Sequence, residues 1–558
     1  MSPKNGLRRR AAAALAGAAV LGMALSACGG ASGGSGSSDT LVVYTGQAGD
    51  YQINFNPFSP TKIGGMGTIY ESLFFYNKAQ VQDPVPLLGT EEAWNEDGTV
   101  LSITLREGVE WTDGEAFTAD DVVFTFDMLK ATPAINGGGY DGTAAAVDDT
   151  HVTLTFATPM FTKSPDLLST PIVPEHLWSE IDPTADVVEK PVGTGAFTLK
   201  EFKPQAYTLA SNPDYWGGEP KVKEIRYLSL SGNQAGADAI AAGTIDWQTG
   251  PIPDIQNTNK NFPNYDAYTQ WQNQMVLGTC SNPDLGCEGP QTDPAVRKAL
   301  YYAMDRDQLN SLAFMDTAND VSPVFTLTPS QDGFVSAAIE EPVAPSTAQA
   351  DTATQTLEAA GWTKGSDGIY EKDGERLSLT VEVVTGWTDY ITAVDTIASQ
   401  AKTAGIEITA AQSSWNEWTD KRLKGEFQLA IDSLWQGPTA DPYYLYNYFF
   451  VSTATAQVGE SAGNNYARFS DPDVDEALAT LSSLPLDDVA ARQPYFDTIQ
   501  AAIWEDMPYV PIMTGGTTSV WNTAEFTGWP SDEDLYAFPA VWSAWDCAEI
   551  FKHLEPKG

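Results

Sequence analysis

Cysteine and histidine are scarce in this chain: 558 residues carry four cysteines and three histidines, His151, His176 and His553. So few cysteines exclude a disulfide-built scaffold, and histidines this scattered exclude most zinc sites. No metal and no cofactor is expected. Positive charge is also in short supply, with 30 Lys+Arg against 74 Asp+Glu and a formal net charge of −44. That balance repels nucleic acid and anionic lipid surfaces and mainly favours solubility. Past residue 27 no apolar run is long enough to cross a bilayer, and no repeat of ~20–50 residues stands out to suggest a solenoid or propeller. What is there is globular: 42% hydrophobic and 11% aromatic residues, with length for about three to four domains' worth of structure.

The N-terminus has its own pattern. Lys4, Arg8, Arg9 and Arg10 precede seventeen uncharged residues, Ala11 to Ala27, the layout of a secretory signal peptide over 1–27. The run ends in Leu25-Ser26-Ala27-Cys28, which resembles the lipobox of bacterial lipoproteins, so Cys28 is expected to be the lipidated first residue. Residues 28–39, rich in Gly and Ser, read as a flexible tether. Gly30-Ala31-Ser32-Gly33-Gly34 within it matches a G-x-S-x-G pattern, but no strand precedes it and no helix follows, so it is not a nucleophile elbow. Two acyl chains suffice for stable attachment, which places the expected domain outside the cell with the lipid anchor as its only membrane contact. Cleavage after Ala27 removes four basic residues and leaves −48.

Along the chain, strand and helix patterns alternate. Leu41-Val42-Val43-Tyr44 reads as a buried strand, and Leu101 to Leu105 and His151 to Phe156 have period two. Ala119 to Leu129 reads as an amphipathic helix capped by Thr118. Further strands are expected at Leu377–Val384 and Ile406–Ile408, and helices at Tyr390–Thr403 and near Pro494–Glu505. Asp471-Pro472-Asp473-Val474-Asp475-Glu476 lacks the central Gly of a calcium loop and reads as a helix start with acids in its first turn. Alternation of this kind indicates α/β packing.

The ordered segments Tyr70-Glu71-Ser72-Leu73, Leu105 to Val122, Gly193-Thr194-Gly195-Ala196-Phe197, Asn212-Pro213-Asp214-Tyr215-Trp216, Ala242 to Asp246, Val296 to Leu300 and Pro508-Tyr509-Val510-Pro511 carry a resemblance. Together they resemble the bacterial extracellular solute-binding proteins of family 5, which serve ABC importers of peptides and, in some branches, oligosaccharides. The resemblance implies an α/β, two-lobed periplasmic-binding-protein-like fold (type II, cluster C) with an extra domain inserted in the first lobe. The expected bounds are 40–80, 191–280 and 515–558 for a discontinuous lobe I, 81–190 for the inserted domain and 281–514 for lobe II. It implies a monomer that is not an enzyme, holds a small-molecule ligand between hinged lobes, and hands it to a permease and ATPase complex.

Expected ligand-binding residues are Trp387, Trp415, Trp435, Gly437, Asp441, Tyr443 and Tyr446, where rings in loops after strands supply rigid apolar faces. Peptide-binding members carry an Asp shortly after the Trp that Trp435 matches; here that position is Pro438, with no charge and no N–H. An amine clamp is then missing unless Asp432 or Asp441 supplies it. The aromatic stretches 441–450 and 463–469 are similar to the oligosaccharide branch, so a dedicated cello-type binding protein stands as the alternative. A secreted glycosidase or peptidase using paired carboxylates such as Asp432 and Asp441 is the remote one. Cys280 and Cys287, eight residues end to end, are expected to bridge outside the cell, leaving Cys547 buried and unpaired.

Overall fold

The apolar run after Asp39 forms β1 (Thr40–Tyr44), whose Leu41, Val43 and Tyr44 are fully buried, as the centre of a sheet requires. The computed structural model describes residues 39–46, 50–59, 61–136, 139–250, 252 and 254–557. The expected signal peptide, Cys28 and all of the tether but Asp39 lie outside the described residues.

After β1 the chain departs to build a four-stranded antiparallel sheet from β2 (Gly89–Trp94), β3 (Val100–Leu105), β4 (Thr143–Asp148) and β5 (His151–Thr155), ordered β2-β3-β5-β4. Helix α1 (Ala119–Ala131) covers it, entered where the Thr118 N–H donates to Asp121 Oδ2 at 3.0 Å. Leu101, Ile103 and Leu154 from the sheet and Val122 and Phe126 from α1 make that layer's core.

From Phe197 the chain returns to β1 with β6 (Phe197–Lys203), β7 (Ala206–Ser211), β8 (Glu224–Leu228) and β9 (Trp247–Thr249). The long β10 (Tyr265–Thr279) leads away to β11 (Ser378–Val384), β12 (Glu407–Ser413) and β13 (Leu429–Leu434), and β14 (Tyr509–Asn522) runs back. All join one ten-stranded sheet in the order β12-β11-β13-β10-β14-β9-β1-β8-β7-β6. Parallel pairs occur in both halves, β1 with β8 and β9, and β11 with β12 and β13.

The helices that matter for the site follow the second group of strands. They are α2 (Thr388–Thr403), α3 (Trp415–Lys424), α4 (Pro442–Phe449), α5 (Pro472–Ser482) and α6 (Val489–Asp506), while α7 (Ala544–His553) packs on the β1 half through Ile550 and Phe551. Caps decide several starts: Asp471 Oδ1 accepts from the N–H groups of Asp473 and Val474 at the head of α5. Helix α6 begins five residues before Pro494 because Asp488 caps it through Ala491 N–H. Strand β12 also outruns expectation, carried to Ser413 by parallel pairing with β11 at every residue from Ser378 to Val384.

Where β10 and β14 pass from one half of the sheet to the other, the sheet narrows to two strands. Strand β9 meets β14 at Ser519–Trp521 and β13 meets β10 at Gln274–Thr279, so residues 270–273 and 515–517 pair across the sheet only with each other. The register shifts between Trp271 and Asn273 and again between Met275 and Val276. Such irregularities bend and twist a ribbon. Gly516 is required here, since a Cβ would sit 2.4 Å from Thr269 Cγ2 and 2.6 Å from the Thr317 carbonyl oxygen.

Candidate ligand-binding site

A cavity of about 350 Å³ lies against the two-stranded ribbon. The β1 half contributes Thr249 and Trp542 to its wall, and the other half contributes Asn273, Phe314, Asp389 and Tyr390. A ligand there would touch both halves beside the narrowest part of the sheet. The halves also touch directly: Gln256 Nε2 donates to the carbonyls of Met315 and Asp316 at 3.2 and 2.9 Å.

Three of the expected tryptophans belong to two aromatic clusters, one of which reaches this wall through Tyr390. Trp387, at the head of α2, has ring centroids 5.5 Å from both Trp415 and Trp418 and 5.4 Å from Tyr390, so it connects the cavity to α3. Trp418 is 1% exposed and anchors the group, whereas Trp415 is 51% exposed and offers a free face. Trp435 stands at the end of β13, 44% exposed, with its ring 4.1 Å from that of Tyr448.

The remaining expected residues build the site's frame. Gly437 has φ +103°, and a Cβ on it would lie 2.4 Å from Tyr444 Cβ, so its role is the tight turn into α4. Asp441 caps α4, accepting from Tyr443 N–H at 2.8 Å, and its other oxygen accepts from Arg492 Nη1 at 2.5 Å. Tyr446 is fully buried and donates to the Val324 carbonyl at 2.7 Å. It does not reach the site, because its position on α4 points into the core that α5 and α6 complete. Tyr443 is also mostly buried, and the neighbouring Tyr444 donates to the Thr162 carbonyl at 2.8 Å, joining α4 to the segment that follows the four-stranded sheet.

Charge decides what the site can do chemically. Asp432 accepts from Arg422 Nη1 at 2.6 Å, and Arg422 is itself stacked over Trp418 and Tyr466. Burial raises the Asp432 carboxyl, with Arg422 opposing. Asp432 and Asp441 are thus each paired with an arginine of their own. Cys280 and Cys287 are bonded, with Sγ atoms 1.90 Å apart, and Cys547 is buried with its thiol pushed up by burial. Among the described residues no cluster of His, Cys, Asp and Glu has the makings of a metal site, and no helix is long and apolar enough to cross a membrane.

Sequence reasoning missed Asn273, Tyr390 and Trp542. Trp542 carried one usable signal, a tryptophan in a loop, and it is 50% exposed with the Lys78 ammonium 5.3 Å from its ring centroid. Tyr390 was legible only as a helix residue.

The model of bacterial extracellular solute-binding proteins, family 5 Middle, matches residues 83–457. Protein XP55 of Streptomyces lividans is 31% identical over 426 residues, covering 74% of this chain and 73% of that protein. The oligopeptide-binding protein AppA of Bacillus subtilis is 25% identical over 525 residues, covering 88% and 90%. Among solved structures, a periplasmic oligopeptide-binding protein of an oligopeptide ABC transporter from Thermotoga maritima superposes with a TM-score of 0.83 at 23% identity, covering 93% of this chain and 99% of that one. Its mannohexaose-bound form superposes at 0.75 with the same coverage. The α/β architecture is therefore the periplasmic-binding-protein fold, and the chain belongs to the bacterial extracellular solute-binding proteins of family 5, the non-enzymatic ligand-capturing components of ABC importers.

Proposed function

We propose that this protein captures a peptide-sized ligand between two lobes hinged at the β10–β14 ribbon and delivers it to a membrane permease and its ATPase. The carrying observation is the cavity against that ribbon, lined by Thr249 and Trp542 from one half and Asn273 and Tyr390 from the other. A ligand held by both sides favours the closed arrangement by the difference in its affinity for the two states. Lobe I comprises 40–80, 191–280 and 515–558, the inserted domain 81–190 and lobe II 281–514; Cys28, lipidated after cleavage, tethers a monomer to the outer face of the membrane.

Peptides are the first ligand class, in line with the relative from Bacillus subtilis named for oligopeptide binding. An oligosaccharide is the second reading, supported by the exposed faces of Trp415 and Trp435 and by the Thermotoga maritima relative with bound mannohexaose. Thermal unfolding of protein lacking residues 1–28, against di- to pentapeptides and against β-linked gluco- and manno-oligosaccharides, separates them. Ligand at 100 times its dissociation constant adds ~2.7 kcal/mol of stability. An upward shift with peptides is expected; a shift with sugars alone transfers the site to the tryptophan faces, and no shift with either class overturns the reading.

A further inference from the structure

The contact between the two halves at Gln256 joins two fixed arms. From the β1 half comes Gln256 itself, in the single 3₁₀ turn Ile255–Asn257 between β9 and β10, with its Nε2 donating to the Met315 and Asp316 carbonyls at 3.2 and 2.9 Å. The turn is held on both sides of Gln256. Ile255 is buried and lines the ribbon cavity, and its carbonyl accepts from Thr258 Oγ1 at 2.6 Å. The Asp254 carboxylate accepts from the side-chain amides of Asn257 and Asn261 at 2.7 and 2.9 Å. Asp254 has φ +55°, a left-handed conformation that aspartate tolerates better than most residues. Gln256 stands exposed on this frame.

The receiving arm is independently unusual. Met315 and Asp316, in the loop after the helix Arg306–Ala313, are successive non-glycine residues with φ +53° and +56°. A side chain makes that conformation unfavourable, and it persists only where the surroundings over-determine it. Here they do. The Asp316 N–H donates to the Asn310 carbonyl at 3.0 Å, the Asn310 amide ties to both the N–H and the carbonyl of Ala318, and Trp271 Nε1 on the ribbon donates to the Thr317 carbonyl at 3.0 Å. Successive residues of one helical hand turn their carbonyls the same way, so the pair offers two acceptors side by side to the two donors of one amide nitrogen. Gln256, Met315 and Asp316 are all exposed, so water satisfies every group when the contact parts and nothing buried is left unpaired. The contact is built to be made and broken.

We propose that Gln256 is a latch: its amide, held by the Asp254 turn, engages the paired carbonyls of Met315 and Asp316 when the lobes close, and so sets how far the ligand-free protein favours closure. This rests on the reading of the protein as a two-lobed carrier and deepens it. Gln256 is a positioning residue, since its neighbour Ile255 and its partner Met315 line the ribbon cavity and it does not. Engaging the latch brings those two walls together beside the ribbon. A contact formed only in the closed arrangement slows opening, so its loss is felt in ligand release more than in capture.

The test sets a spin label on each side of the contact, at Lys260→Cys and Leu312→Cys, both exposed, in protein lacking residues 1–28. Cys280 and Cys287 are bonded and Cys547 is buried, so the introduced thiols take the labels. Double electron–electron resonance then compares this protein with its Gln256→Ala, Gln256→Glu and Asp254→Ala variants. Without ligand, each Gln256 variant is expected to lower the ratio of the shorter to the longer distance about fivefold, the scale of one net hydrogen bond. Glu sets an acceptor against two carbonyls and is expected to have the larger effect; Asp254→Ala loosens the turn but keeps the amide, and is expected to shift the ratio the same way by less. Unfolding temperatures are expected to change no more than for other surface substitutions, which separates latch loss from misfolding. With penta-alanine and mannohexaose as probes, stopped-flow tryptophan fluorescence is expected to show release about fivefold faster in the Gln256 variants and association little changed. Ligand-free distances that all three variants leave unaltered overturn the latch, and faster release alongside such unaltered distances makes Gln256 a ligand contact instead. Shifted distances with neither probe bound uphold the latch and overturn the carrier reading alone.

Discussion

A cavity of about 1050 Å³ between the four-stranded sheet and the segments that lead into α4 and α6 holds carboxylates in opposite conditions. On the α4 side Asp441 is fixed by its own helix cap and by Arg492, which is fully buried. Across the cavity Glu92 has neither, and meets only the like charge of Asp487. The difference separates charge that is paired to build the protein from charge that is left facing a like charge. It also shows why proximity of acids in sequence is a poor guide, since Asp432 and Asp441, nine positions apart, are both consumed by arginines from elsewhere.

The largest effect expected from breaking this comparison is at the locked wall. Replacing Arg492 with Met leaves Asp441 as an uncompensated, largely buried charge, and loss of one partner of such a pair costs about 3–5 kcal/mol. Denaturant unfolding is expected to report that loss, and the double variant Arg492→Met/Asp441→Asn to recover much of it, since Asn still caps a helix. If the single variant unfolds at the same denaturant concentration as the unaltered protein, the pair is not what holds this wall. Next in size is Gly437→Ala. It forces a side chain into φ +103° and against Tyr444 Cβ, and is expected to destabilise by about 2 kcal/mol. A smaller loss would mean that the turn into α4 can relax and that the wall is less rigid than Asp441 alone suggests.

Much of the fold was legible because its signals are local. The alternation in Leu101–Leu105 and the helix start at Asp471-Pro472 each act within a few residues, and each stands where the pattern put it. The candidate site was legible only in part. Trp387 and Trp415 stand out in the sequence as rings after strands, and the structure places them beside Tyr390 in one aromatic cluster, but Tyr446 could not be told from Tyr448. The two lie on one aromatic helix, and only the packing of α5 and α6 decides which face is core. Tyr390 and Trp542 line one cavity through a ribbon formed by strands more than 200 residues apart in sequence, as do Glu92 and Asp487 across the other. No local pattern carries such a meeting.

The smallest effect sharpens the comparison by pH. Burial first and the charge of Asp487 second raise the Glu92 carboxyl above its ordinary value of about 4.3. In the window from that unfolded value up to the raised folded one, the folded protein therefore binds more protons at Glu92 than the unfolded chain does. Stability from this group is then greatest at the acid end and falls as pH rises through the window. Ligand-free Glu92→Gln lacks the slope. Between pH 4 and 7 its unfolding temperature is expected to rise relative to the unaltered protein, by an amount worth less than about 1 kcal/mol because Glu92 is partly solvated. The sign, more than the size, decides the matter: parallel profiles for the two proteins would mean that Glu92 is already satisfied in the folded state, and with it the distinction between the two walls would fall.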